Sequence, residues 1–193
     1  LKVKFFFPTA LKGDLLNKEI IDVMMQGGAV GVNVSLESAS PRMQKVMRKN
    51  LDIEKFKENL EYICKNYEEA VTTLNTMHGF PTETEEEAMM TLNFIKSMKW
   101  VHFPYTHVVR IFPGTDLEKF ALNHGVPRKA ISESIDKSYH EVTPTLPFSK
   151  EFTEKYKLSF LRDYVLNKER LLKILPVQMK NFTEDELNQK YSS

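Results

Sequence analysis

The feature that most constrains this chain is a regular alternation of short β-forming runs with longer segments of helical periodicity, which fills the residues before about position 128. The run Leu1 to Phe7 is rich in β-forming aromatics and is closed by Pro8. Asp14 is then placed to cap a helix carrying Leu15, Leu16, Ile20, Val23 and Met24, and Gly27-Gly28 stops it. Val30 to Ser38 reads as a second strand bounded by Pro41, after which Asp52 caps a helix with Ile53, Phe56, Leu60 and Ile63 at helical spacing. Ala70 to Met77 is a third strand ending in Gly79-Phe80-Pro81, and Thr84 with Glu87 forms a capping box for the following helix. Tyr105 to Phe112 makes a fourth strand, Pro113-Gly114 turns the chain, and Thr115 caps a short helix that Gly125 and Pro127 end.

Strands that alternate with helices in this way predict parallel strands joined by right-handed crossovers, as in a barrel or a doubly wound sheet. The class is α/β. A closed eight-unit barrel needs about 250 residues, whereas the periodic part supplies about four parallel β/α units in roughly 125, so a partial TIM-like barrel is expected. Residues 1–128 are read as that half barrel and residues 129–193 as a helical extension. In the extension Thr143-Pro-Thr-Leu-Pro147 is a stiff connector, the segment from Ser149 is helical through Leu175 with Pro176 as its stop, and Thr183 with Glu186 caps a last helix.

Composition removes several classes of function. Lys plus Arg total 27 against 26 for Asp plus Glu, which lacks the electrostatic footprint of a protein that tracks phosphate backbones, so no nucleic acid partner is expected. Apolar runs are too short to span a bilayer, and no membrane partner is expected. The single cysteine, Cys64, excludes an internal disulfide and any multi-thiolate centre built from this chain alone, and a cytoplasmic setting is expected. Leu1 to Phe7 does not read as a signal peptide, and the non-Met start reads as a cut or boundary.

In parallel α/β folds the reactive groups collect at the carboxyl ends of the strands. The second strand alternates Val32, Val34 and Leu36 on one face with Asn33, Ser35 and Glu37 on the other. That polar face suits a strand lining a wet cavity or, alternatively, an edge strand facing solvent. The third strand ends Asn75-Thr76-Met77-His78-Gly79-Phe80-Pro81-Thr82-Glu83-Thr84, where glycine allows close approach of a polar ligand or serves an ordinary tight turn. Glu83, Glu85, Glu86 and Glu87 read as favourable first-turn charges rather than catalytic carboxylates. His102, His107, His124 and His140 show no metal-ligand spacing, so no metal site is expected. Cys64 lies on an apolar helical stripe as an inert thiol, while Trp100, Phe103 and Tyr105 cover a barrel or interface edge, or form a substrate-facing aromatic cluster.

Together, Gly31-Val-Asn-Val-Ser-Leu-Glu37-Ser, Met47-Arg-Lys49-Asn50, Met77-His-Gly-Phe-Pro-Thr-Glu83-Thr and Phe112-Pro-Gly-Thr115 resemble the second half of a radical S-adenosylmethionine (SAM) enzyme core, in order and spacing. The wording is most similar to the subgroup that includes cobalamin-binding members, with methylthiotransferases and oxygen-independent coproporphyrinogen oxidases as more distant relatives. The resemblance implies that Glu37, with Ser35 beside it, meets the ribose or methionyl part of SAM. It implies that Lys49, with Arg48 as its rival, holds the methionine carboxylate, and that Asn75 contacts the ribose. The backbone of Met77, His78 and Gly79 would read adenine, and Arg110 would point into the cavity toward an unknown small-molecule substrate.

The family's three-cysteine C-x-x-x-C-x-x-C loop, which holds its [4Fe-4S] cluster, is absent from these residues. The reading is therefore the SAM-binding portion of a larger oxidoreductase or methyltransferase, with no catalytic residue in this fragment and none of the radical chemistry on its own. The cluster, and a cobalamin domain where present, would belong to the rest of the parent. Two rival readings are a catalytically silent α/β interaction module that uses the extension, and a phosphate-binding barrel enzyme that uses Gly79 and Gly114. An open first strand also predicts self-association through its edge.

Overall fold

A computed structural model of the chain describes residues 3–137 and 141–192. Four strands pair in chain order as one parallel sheet: β1 (Phe5–Phe6), β2 (Ala29–Glu37), β3 (Val71–His78) and β4 (Phe103–Val108). The sheet curls into half of a β/α barrel, as the alternation predicts. Period-two alternation assigns each side chain to a face. Val32, Val34, Leu36 and Leu74 are buried in the main core with Ile21 from α1 (Lys18–Gln26), Phe56, Leu60 and Ile63 from α3 (Ile53–Asn66), and Ile95 from α4 (Glu85–Ser97). Asn33, Ser35, Asn75 and Tyr105 take the opposite, concave face, with Ser35, Asn75 and Tyr105 in register across three strands.

Strand β2 lies between β1 and β3, so its polar face lines the hollow of the half barrel and is not an edge facing solvent. The first strand is far shorter than the run that predicts it. Leu1 and Lys2 lie outside the described residues, and only Phe5 and Phe6, both exposed, pair with β2.

Local chemistry sets the element boundaries. Asn17, not Asp14, caps α1, its Oδ1 accepting the N–H of Ile20 at 2.8 Å. Asp14 sits in a 3-10 turn, Gly13–Leu15, where its buried carboxylate accepts the N–H of Asp52 at 3.2 Å. Asp52 caps α3 and Thr84 forms the full capping box of α4, both as expected. Strand β4 begins at Phe103 and stops at Val108, where β3, its partner among the described residues, ends at His78. Short helices α2 (Pro41–Val46), α5 (Asp116–Asn123) and α6 (Arg128–Ser134) follow the strand tips.

The extension is helical, but its break is not at Pro176. Helix α7 (Lys150–Phe160) passes into a π turn, Leu161–Val165, and Asn167 caps α8, which runs from Lys168 to Asn181 with Pro176 inside it. The lost N–H is outweighed by anchors on either side. Ile174 and Gln178 are buried, and Gln178 Nε2 donates to the His102 carbonyl at 3.1 Å. Helix α9 (Glu184–Ser192) closes the chain, its first turn tied by the reciprocal bonds of Thr183 and Glu186. No helix among the described residues is long and apolar enough to cross a membrane.

Candidate functional site at the strand tips

Glu37 ends β2 with φ 64, a left-handed conformation that costs a side-chain-bearing residue about 1–2 kcal/mol and marks a position held by its surroundings. The bend turns its carboxylate toward Ser35, whose hydroxyl donates to Oε1. Lys49 Nζ donates to the same Oε1 at 2.7 Å and to Ser35 Oγ at 2.6 Å. Lys49 is delivered by the loop after α2, where Arg48 (φ 55) and Asn50 (φ 47) flank it in left-handed conformations. Gln44 fixes that loop against the strand. Its Nε2 donates to the carbonyls of Leu36 at 2.8 Å and Ser38 at 2.6 Å, and its Oε1 accepts the Leu51 N–H at 3.2 Å. The two rival cations are thus separated: Lys49 faces Glu37, whereas the exposed Arg48 pairs outward with Asp116 at 3.7 Å.

On the concave face beside this cluster, Asn75 Nδ2 donates to Asn33 Oδ1 at 2.5 Å, and Asn33 Nδ2 donates to the Pro8 carbonyl at 3.1 Å. The amides carry remaining donor and acceptor capacity. The next tip is the turn after β3. Glu83 Oε2 accepts the N–H groups of Gly79 at 2.6 Å and Phe80 at 3.1 Å, while Oε1 is buried without a hydrogen-bond partner. Burial pushes the Glu83 carboxyl up to about 7, against the opposing pull of those two amides. Glu83 is therefore a buried turn-former and not a solvated first-turn charge.

Gly79 (φ 87) takes the left-handed conformation that favours glycine, and a Cβ there would lie 2.5 Å from Leu146 Cδ2 of the connector. Met77 is half-buried against Met43, Phe80 and Val109. The His78 ring turns to the outer face, 4.9 Å from the Tyr156 ring, with Nδ1 3.2 Å from Thr106 Oγ1, and burial lowers its pKa to about 4, leaving it neutral. Only its backbone belongs to the tip.

Arg110 corrects an expectation. It shares the parity of His78 and Val108, so it points to the helical side, where Nη1 donates to the carbonyls of Ser134 at 2.7 Å and Ile135 at 2.9 Å. It secures the end of α6 and does not enter the hollow.

A second ion pair, absent from the sequence reading, ties the two tips together. Arg42 Nε and Nη2 donate to the two oxygens of Glu87 at 2.8 and 2.5 Å, and Nη2 also donates to the Thr82 carbonyl at 2.6 Å. Ser40 Oγ and the Thr84 N–H complete the Glu87 shell at 2.7 and 3.0 Å. The Arg42 guanidinium holds the Glu87 carboxyl down at about 2. The signal available was Ser40-Pro41-Arg42, a capped helix start that aims position 42 back across the strand ends.

Among the described residues no cluster of three His, Cys, Asp or Glu side chains suits a metal ion, and His140 lies outside them. Cys64 packs against the main core, and burial pushes its thiol up to about 11, which makes it inert.

Residues 5–95 match the family described as the radical SAM superfamily. These residues are a radical SAM domain. The chain is 25% identical over 182 residues to the threonylcarbamoyladenosine tRNA methylthiotransferase MtaB of Bacillus subtilis, covering 92% of this chain and 36% of that protein. It is 28% identical over 161 residues to the same enzyme of Aquifex aeolicus, covering 81% of this chain and 37% of the relative. A tRNA-2-methylthio-N(6)-dimethylallyladenosine synthase of Thermobifida fusca is 29% identical over 103 residues, 53% of this chain and 20% of its own length. These are methylthiotransferases, a group that motif wording alone set further off than the cobalamin-binding one. The chain spans a little over a third of the length of the first two relatives. In fold, it superposes on Escherichia coli coproporphyrinogen III oxidase (HemN), described as a radical SAM enzyme, with a TM-score of 0.53 and 13% identity, over 77% of this chain and 30% of that one.

A radical SAM domain implies SAM and a [4Fe-4S] cluster. The tip residues fit SAM: a carboxylate that already accepts one ammonium group from Lys49 suits the ammonium or ribose hydroxyls of the ligand, and concave amides lie beside it. They do not fit the cluster, because it needs several thiolates and the one thiol in the sequence is half-buried against the main core.

Proposed function

We propose that this chain is the SAM-binding wall of a radical SAM enzyme whose reaction is of the methylthio-transfer class named for its relatives. The observation that carries the reading is the Glu37–Lys49 pair at the tip of β2, with Glu37 held at φ 64 beside the concave polar face. Glu37 would take the methionine ammonium or the ribose hydroxyls, leaving Lys49 to neutralise the methionine carboxylate. Asn75 would bond the ribose, and the backbone of Met77, His78 and Gly79 would read the adenine edge. The cluster, held outside these residues, would supply the reducing electron, and the residues of this chain would bind and orient SAM. On its own the chain would bind SAM without cleaving it reductively, since it holds a single cysteine.

The relatives act on tRNA according to their names, and we propose that recognition of any such substrate rests outside these residues, whose basic and acidic side chains nearly balance. A cobalamin domain, where the parent has one, would likewise lie outside these residues. Titration of the chain with S-adenosylhomocysteine, followed by amide magnetic resonance, tests the assignment. Saturable shifts at Glu37, Lys49, Asn75 and Gly79 are expected and should weaken at least tenfold in Glu37→Ala. Unchanged affinity in that variant would remove Glu37 from the site.

A further inference from the structure

The free edge of β4 is the side turned away from β3. Val109 donates its N–H to the His78 carbonyl at 2.9 Å, so the odd-numbered residues of β4 address β3. By alternation the N–H groups of Thr106 and Val108 point outward. Pro104, which has no N–H, shares that outward register, as an edge strand permits.

Beyond this edge, α7, the π turn, α8 and α9 enclose a cavity of about 280 Å³. Its walls include the flat rings of Tyr105, Tyr156 and Phe160, and its charged lining consists of Lys157, Arg170 and Lys190, with no acidic residue among the described residues that line it. Arg170 is 1% exposed. Its Nη2 donates to the carbonyls of Val101 at 2.6 Å and His102 at 2.9 Å, and its guanidinium lies 4.4 Å from the centre of the Tyr164 ring. No carboxylate among the described residues pairs with it. Arg170 Nε and His78 Nε2, both on residues of this lining, are buried without a hydrogen-bond partner. A guanidinium removed from water and left without an anion is costly, and carbonyl dipoles offset only part of that cost. The π turn contributes Leu161 and Val165 to the wall, a rare geometry that recurs at functional sites.

We propose that this cavity binds a small organic anion with a flat apolar body, of the aromatic carboxylate type. Arg170, Lys157 and Lys190 supply the charge, the Thr106 and Val108 amides supply edge donors, and Tyr105 and Tyr156 flank the ring. The site shares no residue with the Glu37–Lys49 cluster; His78, whose backbone is assigned to adenine, gives this lining only its ring.

The test is an amide and arginine Nε–H magnetic resonance titration of the 193-residue chain with indole-3-carboxylate, run beside its neutral analogue indole-3-carboxamide and inorganic phosphate. Saturable shifts are expected at Thr106, Val108 and Arg170, with affinity at least about tenfold weaker for the amide. Arg170→Gln should abolish binding. Because Arg170 also holds three backbone carbonyls, those of Val101, His102 and Val165, Lys157→Met provides the second variant and should weaken the carboxylate severalfold while leaving the amide unchanged. Equal binding of carboxylate and amide, shifts confined to other surfaces, no saturation by about 10 mM, or full reproduction of the shifts by phosphate would each overturn the proposal.

Discussion

Two ion pairs stand at neighbouring strand tips, and they are built to different ends. In the Arg42–Glu87 pair both carboxylate oxygens are saturated by a bidentate guanidinium, a serine hydroxyl and a backbone amide, and the pair bridges the start of α2 to the start of α4. In the Lys49–Glu37 pair one oxygen receives both protein donors, a primary ammonium replaces the guanidinium fork, and the carboxylate hangs from a strained backbone over a polar hollow. A bidentate arginine fixes geometry, whereas a lysine is a point charge on a flexible stem that yields to a competing ligand. The first pair is scaffold and the second is exchangeable.

Glu87→Ala should show the contrast most strongly. It orphans Arg42, Ser40 and the Thr84 N–H together, and a loss of about 2–3 kcal/mol is expected in chemical denaturation. A drop below about 0.5 kcal/mol would mean the clamp holds nothing.

The next test separates buried carboxyls by sign. Glu87, held down at about 2, contributes stability that is present above the ordinary glutamate range near 4.5 and lost as pH falls toward 2. Glu83, raised to about 7, behaves oppositely: its contribution is fullest below about 4.5 and is lost as pH rises through 7. Arg42, Glu87 and the Tyr156 hydroxyl are the charged or titratable groups near it. Glu83→Gln should remove a slope of about 2 kcal/mol between pH 5 and 8, read from denaturant midpoints; an unaltered slope would assign it to other groups.

Glu37→Ala should barely alter stability, within about 1 kcal/mol, because the lost pair is partly exposed and the lost side chain relieves none of the core. It should abolish most affinity for S-adenosylhomocysteine by calorimetry. A stability loss as large as that of Glu87→Ala would make the Glu37 pair scaffold after all. The smallest effect belongs to Arg48→Ala, where neither stability nor affinity should move, while Lys49→Ala lowers affinity about tenfold. Equal losses from both would restore the rivalry between the two cations.

Much of this arrangement was legible where local rules act alone. The capping box at Thr84, the alternation that turns Ser35 and Val34 to opposite faces, and the four β/α units all follow from neighbours close in sequence, whereas the register shift after Ser35 and the bend at Glu37 do not. Illegible were features decided by distant partners. Asn17 displaces Asp14 as cap because Asp14 is engaged by the N–H of Asp52. Pro176 remains inside α8 because Gln178 reaches the His102 carbonyl. Arg110 shares the face of His78, a parity obscured once the strand ended two residues earlier. Arg42 escaped notice because its partner lies 45 positions away. The expectation of self-association rests on an edge that shows only two exposed strand residues, Phe5 and Phe6, and light scattering at high concentration would check it.

The contact between Gly79 and Leu146 carries a consequence for the chain as a working object. A side-chain methyl from the extension rests on the backbone of the turn that would read adenine, so the last third of the sequence touches the ligand's doorstep through one van der Waals surface. Limited proteolysis in the connector would thus act as a gauge: cleavage there should slow when a ligand stiffens the turn, letting a protease report from one end of the chain on occupancy at the other.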